Sequence, residues 1–148
     1  MRIVLQRVSS ASVSIDDHKI AAIDSGFLLL VGVEDSDGQA EVEYLTKKIS
    51  KLRVFEDEKG KMNLALKDVS GKILSVSQFT LYADTKKGNR PGFSNVGKPD
   101  HAKKIYEDFN SSLEKEGIEV KTGQFGADMQ VQLINDGPVT IIYDTDQL

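Results

Sequence analysis

Alternation of apolar and polar residues dominates the start of the chain. Ile3 and Leu5, then Ala11, Val13 and Ile15 among Ser10, Ser12 and Ser14, predict one long strand over 1–15 with a bulge or bend around Ser9–Ser10. Asp16-Asp17-His18-Lys19 is a polar turn, and Ile20–Val33 predicts a returning strand interrupted at Asp24-Ser25-Gly26. The unbroken run Phe27-Leu28-Leu29-Leu30-Val31 implies burial on both faces. Arg7 falls on the side of Ile3 and Leu5. A charge there needs a carboxylate or converging carbonyls, unless its stem carries it out to the surface.

Asp35-Ser36-Asp37-Gly38 is a solvated turn entering a helix, since no calcium-ligand pattern follows it. Val42, Leu45, Ile49 and Leu52 recur at helical spacing, with Glu41 and Glu43 early and Lys47, Lys48 and Lys51 late, as the helix dipole favours. Val54-Phe55 predicts a short strand, Asn63 reads as a turn residue rather than a pocket hydrogen-bonder, and Ile73–Tyr82 predicts a strong strand. A second helix starts at Pro99-Asp100, with Asp100 as N-cap, Ala102, Ile105, Tyr106, Phe109 and Leu113 as its buried stripe, and Gly117 as C-cap. Ile118–Thr122 reads as strand, Gly123–Gly126 as a bend, and Ala127, Met129, Val131 and Leu133 as the inward face of another strand. Asp136-Gly137-Pro138-Val139 reads as a hairpin turn into a last strand, Val139–Tyr143. The sum is an α+β fold: a mostly antiparallel sheet or partial β-barrel with two packed amphipathic helices.

Length adds one expectation, a single domain over 1–148. With no cysteine and two isolated histidines, His18 and His101, thiolate chemistry is excluded and no metal or other cofactor is expected. Arg2, Gln6 and Arg7 interrupt the first apolar stretch, so neither a signal peptide nor a membrane span is expected, and the default location is the cytoplasm. The net charge of −4 argues against indiscriminate nucleic-acid binding. Lys86, Lys87, Arg90 and Lys98 nevertheless share the 85–98 loop with no acid among them. The loop is either a solvated one or a phosphate-contacting lip.

Chemistry points to two segments. Ser77-Gln78-Phe79-Thr80-Leu81 puts polar side chains into an apolar strand beside the basic loop, with Ser77 and Phe79 on one face and Gln78 and Thr80 on the other. A nucleophilic Thr80 needs a base, and the segment holds none; backbone N–H groups at a strand end can still form an oxyanion hole. The second segment, Asn135-Asp136-Gly137-Pro138-Val139-Thr140, is on physical grounds only a turn.

Together these segments resemble the two signature motifs of the D-aminoacyl-tRNA deacylases of the bacterial and eukaryotic type. The likeness extends through Leu5-Gln6-Arg7-Val8, Gly60-Lys61-Met62-Asn63-Leu64, Arg90-Pro91 and Ala127-Asp128-Met129-Gln130-Val131. It implies a homodimer acting on tRNA charged with a D-amino acid or glycine, with Ser77, Gln78, Phe79 and Thr80 at the catalytic centre. It further implies a cis Gly137-Pro138 bond inserted into the neighbouring subunit's pocket to exclude L-aminoacyl groups, with Arg7 supporting it. Ala102, Phe125 and Met129 would line the pocket of the terminal adenosine and its amino acid, whose 2′-hydroxyl would relay the proton. Two other readings stay open: an RNA-binding module using the 86–98 loop, and an editing domain that removes a mischarged L-amino acid.

Overall fold

The computed structural model describes residues 1–148. A 14-residue strand, β1 (Arg2–Ile15), runs through the whole sheet. Its second half pairs with β2 (His18–Ile23) across the Asp16-Asp17 turn, where both residues have positive φ, and its first half pairs with β3 (Gly26–Gly32). Both pairings are antiparallel. Helix α1 (Gln39–Ser50) follows, then a separate two-stranded sheet of β4 (Arg53–Glu56) and β5 (Met62–Ala65). Next, β6 (Lys72–Ser77) lies parallel to β3, and β7 (Val120–Thr122), reached through helix α2 (Pro99–Lys115), lies parallel to β6. The last strand, β8 (Gln130–Asp144), returns antiparallel along the other edge of β1. The sheet curls until β2 comes against β6 and β7. The expected α+β partial barrel is present, with the two parallel pairs as an addition.

Curling gives the sheet two apolar interiors. One holds Ile3, Leu5, Phe27, Leu29, Val31 and Ile73 against both helices; the other holds Val8, Ala11, Val13, Leu28, Leu74 and Val76. Strand β3 thus buries both faces, Phe27 into one core and Leu28 into the other, which is why it reads as an unbroken apolar run. β1 serves both cores because Ser9 is an extra residue: Val8 pairs with Asn135 and Ser10 with Ile134. Without that bulge, Ala11 and Val13 would face the same side as Ile3 and Leu5.

Three local expectations need correction. Asn63 lies within β5, where its side-chain oxygen and its carbonyl both accept from Arg53, so strand pairing prevails over its turn propensity. The second helix begins at Pro99, with Lys98 as N-cap and Asp100 inside the first turn. Proline suits that position, since an N–H there has no intrahelical partner to bond. At the other end the C-cap is Glu116, and Gly117, expected there, stands one residue beyond it at φ +87.

Asp37, read as a solvated turn residue, is instead buried. The Met1 ammonium donates to Asp37 Oδ1 at 2.6 Å and to Thr145 Oγ1 at 2.5 Å, with side-chain exposures of 0% and 2% across the ion pair. Asp37 Oδ2 meanwhile accepts the Glu34 N–H at 2.8 Å, which closes the turn before α1. Asp37→Asn leaves a buried ammonium without its counter-charge and is expected to cost about 3 kcal/mol. A lowered urea midpoint at unchanged slope is the expected reading.

Candidate active site

Strand β6 was expected to run on to Tyr82. It stops at Ser77, and Phe79–Tyr82 forms a 3-10 turn instead. The last ladder bond is Gln78 N–H to the Val31 carbonyl at 2.8 Å, after which the chain crosses the end of β3 over Gly32. A Cβ on Gly32 would stand 3.0 Å from Leu81 Cβ and 3.2 Å from the Gln78 carbonyl oxygen. Glycine therefore permits the crossing, and the strand alternation expected for Ser77 to Thr80 does not apply. Leu81 N–H bonds the Gln78 carbonyl and Ala83 N–H the Thr80 carbonyl, while the N–H groups of Phe79 and Thr80 head the turn with no partner inside it.

Beside this turn opens a cleft of about 560 Å³. Ser77, Gln78 and Phe79 form one wall, Ala102 and Tyr106 of α2 another, and Phe125 and Gly126 of the bend a third. No carboxylate or imidazole lines it; its one charged side chain is Lys98. The Tyr106 hydroxyl donates to the Ser75 carbonyl at 2.7 Å, and burial pushes its pKa up, so it remains a fixed neutral donor. Thr80 is exposed, and its hydroxyl accepts the Gln78 amide Nε2 at 2.5 Å. An amide is no base, so this contact orients Thr80 without activating it.

The second segment is not a hairpin turn. Residues on both sides of it pair with β1, Gln6 with Thr140 and Val8 with Asn135, so 136–139 form an excursion from one continuous strand. Asn135 clamps its base: Oδ1 accepts the Val139 N–H at 2.9 Å and Nδ2 donates to Thr140 Oγ1 at 2.9 Å. Arg7 is buried beneath it at 7% exposure, donating from Nε to the Asp136 carbonyl at 3.0 Å and from Nη1 to the Val54 carbonyl at 2.5 Å. Converging carbonyls are thus its partners, with the Asp136 carboxylate farther off at 3.9 Å. The Gly137-Pro138 bond is cis, and both residues are exposed.

Within one chain the two segments do not meet. Ser77 pairs with Val31 and Val31 with Ile3, whereas the excursion sits over Arg7, four residues further along β1. Strand rise makes that on the order of 13 Å. Of the other expected residues, Ala102 and Phe125 line the cleft, while Met129 packs against the second core. Lys86, Lys87 and Arg90 are exposed, and Lys86 borders a separate polar hollow with Glu34, Asp84 and Asp146. Sequence reasoning missed Tyr106 and Phe93 as lining residues, the first because it sits in a helical core stripe. It also missed Asn135 as a clamp, though asparagine before Asp-Gly is a usable signal for local side-chain bonding.

The architecture recurs among solved structures. That of the c-Myc DNA unwinding element binding protein is similar over 98% of this chain and 99% of that one, with TM-score 0.91 and 42% identity. One described as a probable eukaryotic D-amino acid tRNA deacylase shares the fold at TM-score 0.82 and 15% identity, over 96% of this chain and 97% of that one. The fold is thus the one that these two structures share. The family model described as D-Tyr-tRNA(Tyr) deacylase matches residues 4–144, and the chain belongs to that family of hydrolases. The D-aminoacyl-tRNA deacylases of Bifidobacterium animalis subsp. lactis and Bifidobacterium adolescentis are 55% and 54% identical to it, across 100% of this chain and 99% of each relative.

Arg7→Leu removes the donors that hold two backbone carbonyls. The expected result is a loss of about 2 kcal/mol in stability and faster hydrogen exchange at the Val139 amide, with the amides of α2 little changed.

Proposed function

We propose that the protein hydrolyses the ester between a D-aminoacyl group and the terminal ribose of tRNA, as a homodimer in the cytoplasm. The observation that carries this reading is the cleft: mainly apolar walls beside the head of a 3-10 turn whose first N–H groups have no partner within it, and no carboxylate or imidazole in a lining whose one charged side chain is Lys98. Water attacks the ester carbonyl carbon, the carbon–oxygen bond to the ribose breaks, and the ribose oxygen takes the proton. The N–H groups of Phe79 and Thr80 receive the developing oxyanion, and the cleft walls orient the aminoacyl group. A substrate hydroxyl, the ribose 2′-OH, relays the proton where the protein offers no base. Thr80 positions rather than attacks.

Chirality is read by exclusion. The Gly137-Pro138 excursion of one subunit enters the cleft of its partner, and its carbonyls stand where an L side chain would project. The separation of the two segments in one chain, with the excursion exposed and clamped from below, supports action between subunits. Glycine has no side chain to exclude, so glycyl-tRNA is also a substrate.

A catalytic quantity of protein should release amino acid from D-tyrosyl-tRNA and glycyl-tRNA but not L-tyrosyl-tRNA, with or without chelator. Salt-sensitive binding without turnover would favour a nucleic-acid-binding role, in keeping with the name of the 42% identical relative. Release from the L form would favour editing of L-amino acids.

Two variants test the arrangement. At Gly137 φ is +139, and a Cβ would lie 2.8 Å from Val139 Cγ2 and 3.2 Å from an Arg7 guanidinium nitrogen. Gly137→Ala therefore displaces the excursion, and the rate on the D ester, or the preference for it, is expected to fall on the order of 10²-fold. Ala102→Phe fills the cleft and abolishes turnover. Mixed after unfolding and refolding together, the two variants should recover about a quarter of the wild-type D-selective activity, because half the dimers are mixed and each has one complete site. No recovery would place the excursion's action within its own subunit.

A further inference from the structure

Two phenyl rings stand at the rim of the cleft with no role in either core. Phe79 is 55% exposed and Phe93 42%, and they meet edge to face with centroids 5.2 Å apart. Both line the cleft. Phe79 opens the 3-10 turn, while Phe93 belongs to the basic loop. The backbone beside Phe93 is held on both sides: Asp84 and Gly92 exchange two N–H to carbonyl bonds of 2.8 Å, and the Val96 N–H bonds the Phe93 carbonyl at 3.2 Å. Farther on, Gly97 N–H bonds the Val33 carbonyl at 2.9 Å and Lys98 N–H bonds Asp35 Oδ1 at 2.8 Å. The ring is presented from a fixed position, beside Lys86, Lys87, Arg90 and Lys98 on a loop without acids.

Exposed aromatic faces among cations on an otherwise acidic protein are the means by which single-stranded nucleic acid is gripped, bases on the rings and phosphates on the charges. The cleft interior, about 560 Å³, holds one drug-sized ligand. On the reading above, that ligand is the terminal nucleoside with its aminoacyl group, so the next nucleotide lies outside, at the rim. We propose that Phe93, buttressed by Phe79, is a stacking platform for the unpaired base preceding the terminal adenosine. The platform sets affinity for the nucleic-acid end of the substrate. It draws on no base identity, because every base has a π face.

The test uses the full-length protein and the uncharged trinucleotide cytidine-pyrrolocytidine-adenosine, whose middle base is fluorescent and quenched by stacking. Wild type should quench it; Phe93→Ala should bind roughly tenfold more weakly and quench little, and Phe93→Trp should restore both. Phe93 is exposed, so these variants should fold. In turnover, Phe93→Ala should raise KM for D-tyrosyl-tRNA by about tenfold and affect kcat far less, while D-tyrosyl-adenosine, which lacks the preceding base, should show no such KM rise. An unquenched probe on saturated wild type, equal KM rises on both substrates, or a shift of Phe93→Ala from dimer to monomer in sedimentation would overturn the platform. Phe93-dependent quenching by a protein that releases no D-tyrosine would sustain the platform and remove the hydrolytic reading instead. Release of D-tyrosine with no effect of Phe93→Ala would do the reverse.

Discussion

The pairing of β1 with three other strands is the constraint on which the molecule depends. One edge of β1 takes β2 and β3 in succession, and the other takes β8 along nearly its whole length. A flat strand cannot serve two interiors with the same residue parity, and the extra residue at Ser9 resolves this by turning Ala11 and Val13 toward the second core. The same stretch of ladder contains the four-residue excursion of β8 between Asn135 and Thr140. Two irregularities therefore sit side by side, one on each strand. The bulge lets the sheet curl, and the excursion lifts Gly137 and Pro138 clear of it.

Lifting backbone out of a ladder leaves polar groups to satisfy, and Arg7 and Asn135 do this from opposite directions. A guanidinium suits the place below, because its planar set of donors reaches the Asp136 and Val54 carbonyls at once. The amide of Asn135 suits the base of the excursion, since one side chain must both accept from Val139 and donate to Thr140. The excursion is thereby held without apolar packing of its own. Its outer face is left free.

The cleft is organised on the contrary principle. Its walls are apolar, and its polar groups are mainly backbone N–H and neutral side chains such as Gln78 and Tyr106, fixed by bonds to Thr80 and to the Ser75 carbonyl. Such a site offers orientation, fixed dipoles and the Lys98 cation, but no carboxylate or imidazole to take a proton. Chemistry that brings its own hydroxyl, as a ribose does, fits these walls.

Much of this was legible along the chain, for definite reasons. Period-two alternation in β1, the unbroken apolar run of β3 and the stripe from Ala102 to Leu113 are direct projections of which faces are buried, so the sequence determined the α+β class, both helices and the chemical character of the two signature segments. What it did not determine depends on neighbours remote in sequence. Ile73–Tyr82 carries apolar residues along its whole length, with Ser75, Ser77, Gln78 and Thr80 among them, yet the strand breaks at Ser77 because β3 ends at Gly32 and leaves room for a 3-10 turn. Asp37 reads as a loop acid until the Met1 ammonium, 36 residues away, is brought against it. Asp-Gly-Pro reads as a hairpin turn until both of its flanks are seen to pair with a third strand. Local composition records propensity and burial; strand pairing and the separation of the two segments are set by contacts between distant parts of the chain, and only the tertiary structure decided them.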